Sequence, residues 1–489
     1  MTTDILSTLR DHAAASGRVW LQGPAPVTYA ELWAATGRMA NALAALGVRR
    51  GERLMLQVEK SAEALTLYLA CLRAGVVFLP VNPAYTMAET RHFLTDAEPA
   101  LVLVDGSRLA GLATAGVKAM AFDAFLAMAA RSAAESSDPP HAPDDLAAIL
   151  YTSGTTGRSK GVMLSRENLA SNATALVGLW RFSETDVLLH ALPVFHTHGL
   201  FVATNCALLS GASLIFLPAF SPDAVLAALP NATVMMGVPT FYTRLLDAPG
   251  LTPEACRNVR LFISGSAPLS PATHAAFRAR TGQAILERYG MTETNMITSN
   301  PYDGERRAGT VGMALPGVEV RVTGEDGAEV AKGDAGAIEV RGPNVFQGYW
   351  RMPDQTAKEF RAGWFLTGDL GAFDADGYLS ILGRAKDLVI TGGLNVYPAE
   401  VEAALDALPG VAASAVIGVP HPDFGEAVVA CVVGKVEPEA IRASLRDRLA
   451  AFKIPKQVIV LEELPRNAMG KVQKVDLRRR FANLFDGTA

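Results

Sequence analysis

The chain has 489 residues, half of them apolar and 19% charged, with a formal net charge of −5. That length exceeds one ordinary core, so two or more domains are expected, and the composition excludes a disordered chain. The acidic balance excludes a bulk basic surface and, with it, nucleic acid as an expected partner.

The opening stretch MTTDILSTLRDHAAASG carries an early acid and no long apolar run, unlike a secretory signal. YAELWAATGRMANALAALG then reads as an amphipathic helix closed by Gly47, and RLMLQV, FLPVN and ALVLVD read as buried strands. A polar linker spans 131–145, RSAAESSDPPHAPDD. Beyond it AAILYT, VLLHALP, SLIFLP, ATVMMGVP and VRLFISG continue the alternation of short apolar runs with helical segments. This rhythm predicts an α/β fold built as layered subdomains around parallel sheets.

The longest stretch without Lys, Arg, Asp or Glu runs from Val187 to Pro222. Asn205, Ser210, Gly211 and Ser213 interrupt it, so it reads as a buried helix ended by Gly211 and a strand, with no membrane span expected. Cys71, Cys206, Cys256 and Cys431 lie far apart and form no metal or disulfide spacing. A reducing, cytoplasmic location is expected.

From about Thr310 the texture changes to short strands separated by Gly and Asp-Gly turns, predicting a β-rich subdomain over about 310–383. After GRAKD a compact α+β segment follows. The expected organisation is a large N-terminal domain at 1–383, a hinge at 384–386 and a small mobile α+β lid at 387–489.

Five motifs carry the chemistry. YTSGTTGRSKG at 151–161 places small hydroxyls, glycines and a lysine directly after a buried strand, a composition that surrounds phosphate oxygens. It lacks the G-K-[ST] of a Walker A loop, and its bland alternative is an ordinary turn. In ERYGMTET at 287–294, Glu293 is a hard oxygen ligand suited to Mg²⁺, Thr292 can donate to phosphate, and Tyr289 can lie against a base. WFLTGDL at 364–370 offers Asp369 on a Gly turn as an acceptor for a ribose diol, although Thr-Gly-Asp is also plain turn chemistry. GRAKDLVITGGLNVYP at 383–398 and PRNAMGKVQK at 465–474 complete the set, the latter holding Lys471 on a Gly turn. A lysine on a loop is usually only solvated.

Together, in this order and over nearly the whole length, the motifs resemble the adenylate-forming superfamily of acyl-CoA synthetases, luciferases and peptide-synthetase adenylation domains. Ser159 departs from it, standing where the family more often has proline. The resemblance implies two steps: a carboxylate attacks the α-phosphate of Mg·ATP, and a thiol, that of CoA, then displaces AMP after the lid rotates. By the same resemblance Thr152, Ser153, Gly154, Thr155, Thr156, Gly157 and Lys160 would hold the phosphates, with Thr155 and Glu293 around Mg²⁺. Glu287, Tyr289, Gly290, Met291, Thr292, Asp369 and Arg384 would complete the ATP site. Lys471 would bridge the α-phosphate and acyl oxygen during adenylation, Lys386 would be the hinge, and Gly392 and Gly393 would line the CoA tunnel.

Arg288 and Arg244 set this chain apart. A guanidinium fork suits a carboxylate, and burying it without a counter-ion is costly, so a substrate that brings a second carboxylate is expected. ERYGMTET, VPTFYTR and FISGSAP resemble the malonyl-CoA synthetases within the superfamily. That implies Arg244, Ser266 and Arg288 around the distal carboxylate, His196 bordering the acyl site, and malonate or a similar short dicarboxylate such as methylmalonate as the acid. The bland alternative pairs these arginines with Glu287 or Asp247. A ligase for a neutral short or medium acid, an enzyme loading a carrier protein, and a non-catalytic binder remain alternatives; SGSAP is no nucleophile elbow, which disfavours a serine hydrolase.

Overall fold

Strand and helix alternate as the pattern predicts, and they assemble two large sheets. The computed structural model describes residues 4–15, 17–112, 116–152, 159–392, 394–467 and 470–485. The first sheet has nine strands, with Leu261–Ser264, Val234–Gly237, Val187–His190 and Ser213–Phe216 forming its parallel centre. The second has seven, centred on Leu146–Thr152, Val77–Pro80, Arg53–Gln57 and Leu101–Val104. These central strands are mostly buried on both faces and mostly apolar, which is why they lack a polar-apolar alternation. No helix is long and apolar enough to cross a membrane among the described residues.

The uncharged stretch resolves into His198–Ala203, Thr204–Ser210 and the strand Ser213–Phe216, and Gly211 ends the helical part at φ +73°. His198–Ala203 is a π-helical turn, a feature the sequence pattern gave no sign of.

The β-rich region forms a separate five-stranded antiparallel sheet of Glu319–Thr323, Gly336–Arg341, Phe360–Arg361, Trp364–Phe373 and Leu379–Arg384. It is less self-contained than expected. Met313–Ala314 adds to the edge of the nine-stranded sheet, and Gly348–Tyr349 pairs with Lys160–Ser165 in the seven-stranded one. Both return because an open sheet edge there has unpaired backbone groups to satisfy. The Thr-Gly-Asp segment also differs from the expected turn: it lies inside the ten-residue strand Trp364–Phe373, with Gly368 at φ +70°. The C-terminal part, a smaller domain, has its own five-stranded sheet and apolar cores.

Candidate active site

Parallel strands end on one side, and the candidate residues gather beyond those ends, as they do in open α/β sheets. His196 follows Val187–His190, Ser266 follows Leu261–Ser264, and Arg288 stands on Ile285–Met291.

Arg288 is 3% exposed, and its Nε and Nη2 are buried with no hydrogen-bond partner among the described residues. Burial pushes its pKa down to about 9. The guanidinium lies against Gly265, where a Cβ would come within 2.4 Å of its Cζ. Glu287, its neighbour on the strand, points to the opposite face and accepts from the Leu269 amide at 3.0 Å. Burial pushes the Glu287 carboxyl up to about 8, so at neutral pH it is mostly uncharged and cannot neutralise the arginine. The expected alternative pairing of Arg288 with Glu287 is therefore absent.

His196 is held down to about 4 by burial and by the charges of Arg288 and Lys471, which makes it a neutral imidazole between two cations. Ser266 adopts φ +72°, a conformation that strains a residue bearing a Cβ. Its Oγ lies 3.2 Å from Nδ1 of the buried His198, which supports the pocket wall and has no described metal partner. Arg244 is exposed on the helix Pro239–Asp247 and forms no ion pair among the described residues, with Asp247 or otherwise. It is not buried with Arg288; it stands one turn beyond Thr240, which itself meets the Lys471 loop.

The other half of the cleft is arranged around Asp369, which is 4% exposed. Arg384 Nε pairs with its Oδ1 at 2.8 Å, and the Tyr289 hydroxyl donates to its Oδ2. Tyr289 is thus tied by its hydroxyl to the carboxylate expected to meet a ribose. Glu293 is buried, its Oε1 accepts from the Tyr349 hydroxyl at 3.0 Å, and burial raises its pKa. Lys160 pairs with Glu359 at 3.2 Å and sits 4.1 Å from the centre of the Tyr349 ring. Gly290 is obligatory here, since a Cβ would strike the Asn295 carbonyl oxygen at 2.0 Å. Half-buried Met291 ends the strand beside it, half-buried Thr292 begins the turn, and Thr152 pairs with Lys160 across the ladder. Ser153, Gly154, Thr155, Thr156, Gly157 and Gly393 lie outside the described residues. Sequence patterns singled out neither Tyr349 nor Gly265: a tyrosine in GYWR carries no motif, and the role of Gly265 depends on a distant side chain.

Lys471 follows Gly470, whose φ of +77° brings the loop against Thr240; a Cβ on Gly470 would sit 3.2 Å from the Thr240 Oγ1. The Lys471 amide donates to Asn467 Oδ1 at 2.9 Å, and the residue keeps an exposed surface. Burial among its neighbours, then the Arg384 charge, lowers its pKa, and Asp369 acts against that. The C-terminal domain is thus closed over the cleft, yet its ion pairs, Lys453–Glu400, Lys474–Glu402 and Arg478–Asp387 among them, are internal. Lys386 lies in the turn Ala385–Asp387 between the domains, and Gly392 at φ +56° tops a hairpin, its amide bound to the Phe424 carbonyl at 2.9 Å.

The AMP-binding enzyme model matches residues 8–350, and the AMP-binding enzyme C-terminal domain matches 400–471. The chain belongs to the AMP-binding enzyme family. Among its relatives, a feruloyl-CoA synthase of an Amycolatopsis species is 37% identical over 94% of this chain and 95% of its own length. A malonate–CoA ligase of Arabidopsis thaliana is 34% identical over 89% of this chain and 79% of its own. The crystal structure of ATP-bound MatB from Rhodopseudomonas palustris superposes with a TM-score of 0.96 at 53% identity, covering 99% of this chain and all of that one. This member of the AMP-binding enzyme family is accordingly an AMP-forming acid–CoA ligase, with ATP and CoA as substrates. The relatives' names span aromatic and dicarboxylic acids, so membership alone leaves the acid open.

Proposed function

We propose that this AMP-binding enzyme ligates malonate, or a close short dicarboxylate such as methylmalonate, to CoA through a malonyl-adenylate. One observation carries the reading: a buried arginine with two unpartnered nitrogens and no counter-ion among the described residues. A distal carboxylate would satisfy it with charge-assisted hydrogen bonds, while the proximal carboxylate faces ATP. Ser266 would contribute its hydroxyl, and neutral His196 would border the acyl group without competing for its proton. Arg244 would add a second positive charge near the mouth of the cleft. Likeness to a malonate–CoA ligase supports the same reading.

In the first half-reaction an acid oxygen attacks the α-phosphorus and pyrophosphate leaves. Lys471 would neutralise charge between the acyl oxygen and the α-phosphate, Asp369 would accept from the ribose hydroxyls, and Lys160 with the 152–157 loop would hold the leaving phosphates. Among the described residues no cluster of three or more His, Cys, Asp or Glu groups could hold a metal unaided. Mg²⁺ needs only one or two carboxylates when phosphates and waters complete its shell, and the buried Glu293 fits that part, with Thr155 as its expected partner. Bound there, Mg²⁺ would neutralise phosphate charge. Rotation of the 387–489 lid about 384–386 would then withdraw Lys471 and bring Gly392 and Gly393 to the pantetheine arm. The thiol sulfur attacks the acyl carbon, the acyl–phosphate bond breaks, and AMP leaves.

A neutral acid is the second reading, favoured by a mainly apolar cleft of about 240 Å³ lined by Phe195, Phe220 and Phe241, although Glu59 and Lys60 also stand in its wall. The ratio of kcat/KM for malonate and butanoate, followed by AMP formation, separates the two. Buried donors that must be satisfied discriminate by roughly 10⁴. A ratio near one would return Arg288 to a structural role.

A further inference from the structure

A second cavity, of about 330 Å³, opens on the outer side of Lys160. Its wall is formed by Lys160, Arg351, Lys358, Asp354, Gln355 and the adjacent Met352-Pro353 turn. None of these belongs to the C-terminal domain, so the cavity stays open while Lys471 and its loop close the other side of the cleft. Lys160 faces both compartments: its ammonium meets the Tyr349 ring, and the Tyr349 hydroxyl binds Glu293. The order from inside to outside is therefore Glu293, Tyr349, Lys160 and then the cavity.

The charges around it are unequal. Arg351 is neutralised by Glu98, at 3.0 and 2.5 Å, and holds a left-handed φ of +56°. Lys160 pairs with Glu359, whose Oε1 also accepts from Gln355 Nε2 at 2.8 Å. Asp354 is the one acid on the wall itself, and Lys358 forms no ion pair among the described residues. Glu359 thus occupies the ammonium that a phosphate oxygen would take, and a polyphosphate anion binding Lys160 would release Glu359 and Gln355.

We propose that this cavity is an outer binding station for inorganic pyrophosphate, through which it leaves while the lid remains closed. This rests on the adenylation reading, which supplies the anion. Released pyrophosphate passes from the Lys160 ammonium to Lys358 and Arg351, and Glu359 recaptures Lys160 behind it. The adenylate is left under the lid, so the charged product departs without opening the hydrolysable anhydride to bulk water.

The test is product inhibition by inorganic pyrophosphate, together with ATP–pyrophosphate exchange driven by malonate, butanoate or ferulate. Wild type is compared with Lys358→Ala, Lys358→Glu and the charge-matched control Lys332→Glu, whose lysine lies in the turn before Gly336–Arg341, is not part of the cavity wall and donates to the Ala375 carbonyl. Lys358→Glu is expected to raise the inhibition constant and the half-saturating pyrophosphate concentration about fivefold, and Lys358→Ala about twofold. The difference should shrink at high salt. Unchanged pyrophosphate constants in Lys358→Glu, or an equal shift in Lys332→Glu, overturn the proposal. A wild-type enzyme that exchanges with none of the acids overturns the adenylation reading, and this station falls with it.

Discussion

Replacing Arg288 with methionine should make the free enzyme more stable and less able to use malonate. Burial holds the guanidinium pKa near 9, about three powers of ten below its ordinary value. At roughly 1.4 kcal/mol per power of ten, the folded protein carries a cost on the order of 4 kcal/mol at neutral pH. The sign follows from linkage: the folded pKa is depressed, so the full cost applies below pH 9 and is relieved only as pH rises through it. Methionine removes the charge and retains most of the packing against Gly265, and about 2 kcal/mol should be recovered after imperfect repacking. For a chain of this length that corresponds to roughly 2 °C in Tm. Malonate should raise the Tm of the wild type but not that of Arg288→Met, and kcat/KM for malonate should fall by about 10³ while that for butanoate changes little. Differential scanning calorimetry and AMP release give the two readouts. A lower Tm, or equal losses on both acids, would refute the view that the cation is held for the substrate.

Three further perturbations bear on the same site. Lys471→Ala should reduce adenylate formation by about 10³ and leave thioester formation from pre-made adenylate largely intact; single-turnover assays in which both half-reactions fall together would exclude an adenylation-only role. Because the Glu287 pKa is raised to about 8, folded protein binds the extra proton and stability should fall as pH rises from about 5 to 8; Glu287→Gln should flatten that slope in denaturation curves. Gly265→Ala forces a Cβ into the guanidinium and should raise KM for malonate about tenfold without altering KM for ATP, measured by initial rates.

Much of the fold was legible because buried parallel strands and amphipathic helices have strong local patterns: RLMLQV, ALVLVD and VRLFISG all lie in central strands. At the candidate site, the glycines that the motifs carried mark real constraints: Gly290 meets the Asn295 carbonyl oxygen too closely for a Cβ, and Gly368 and Gly470 hold positive φ beside Asp369 and Lys471. What escaped was non-local. Tyr349 reaches Glu293 only because Gly348–Tyr349 crosses back to the seven-stranded sheet. The π-helical turn at His198 gives no periodicity of its own. Arg244 and Arg288 looked equivalent as residues, but a helix surface exposes one while a central strand buries the other.

Unsatisfied chemistry is concentrated in one place. Of the fourteen buried side-chain atoms without a partner among the described residues, six belong to His196, Thr197, His198, Ser264 and Arg288. Buried polar groups are nearly always paired, because leaving one unmet costs about 1–3 kcal/mol. Scattered exceptions would signify imperfect packing, but six that follow or stand on three strands of one sheet, beside the strained Ser266, have a common cause. Neutral groups alone could be met by water. A cation without a counter-ion among the described residues cannot be met so cheaply, and Glu287, the acid next to it on the strand, is itself held neutral by burial. The pocket therefore has an electrostatic deficit of one negative charge, and a ligand that enters with a carboxylate to spare removes it.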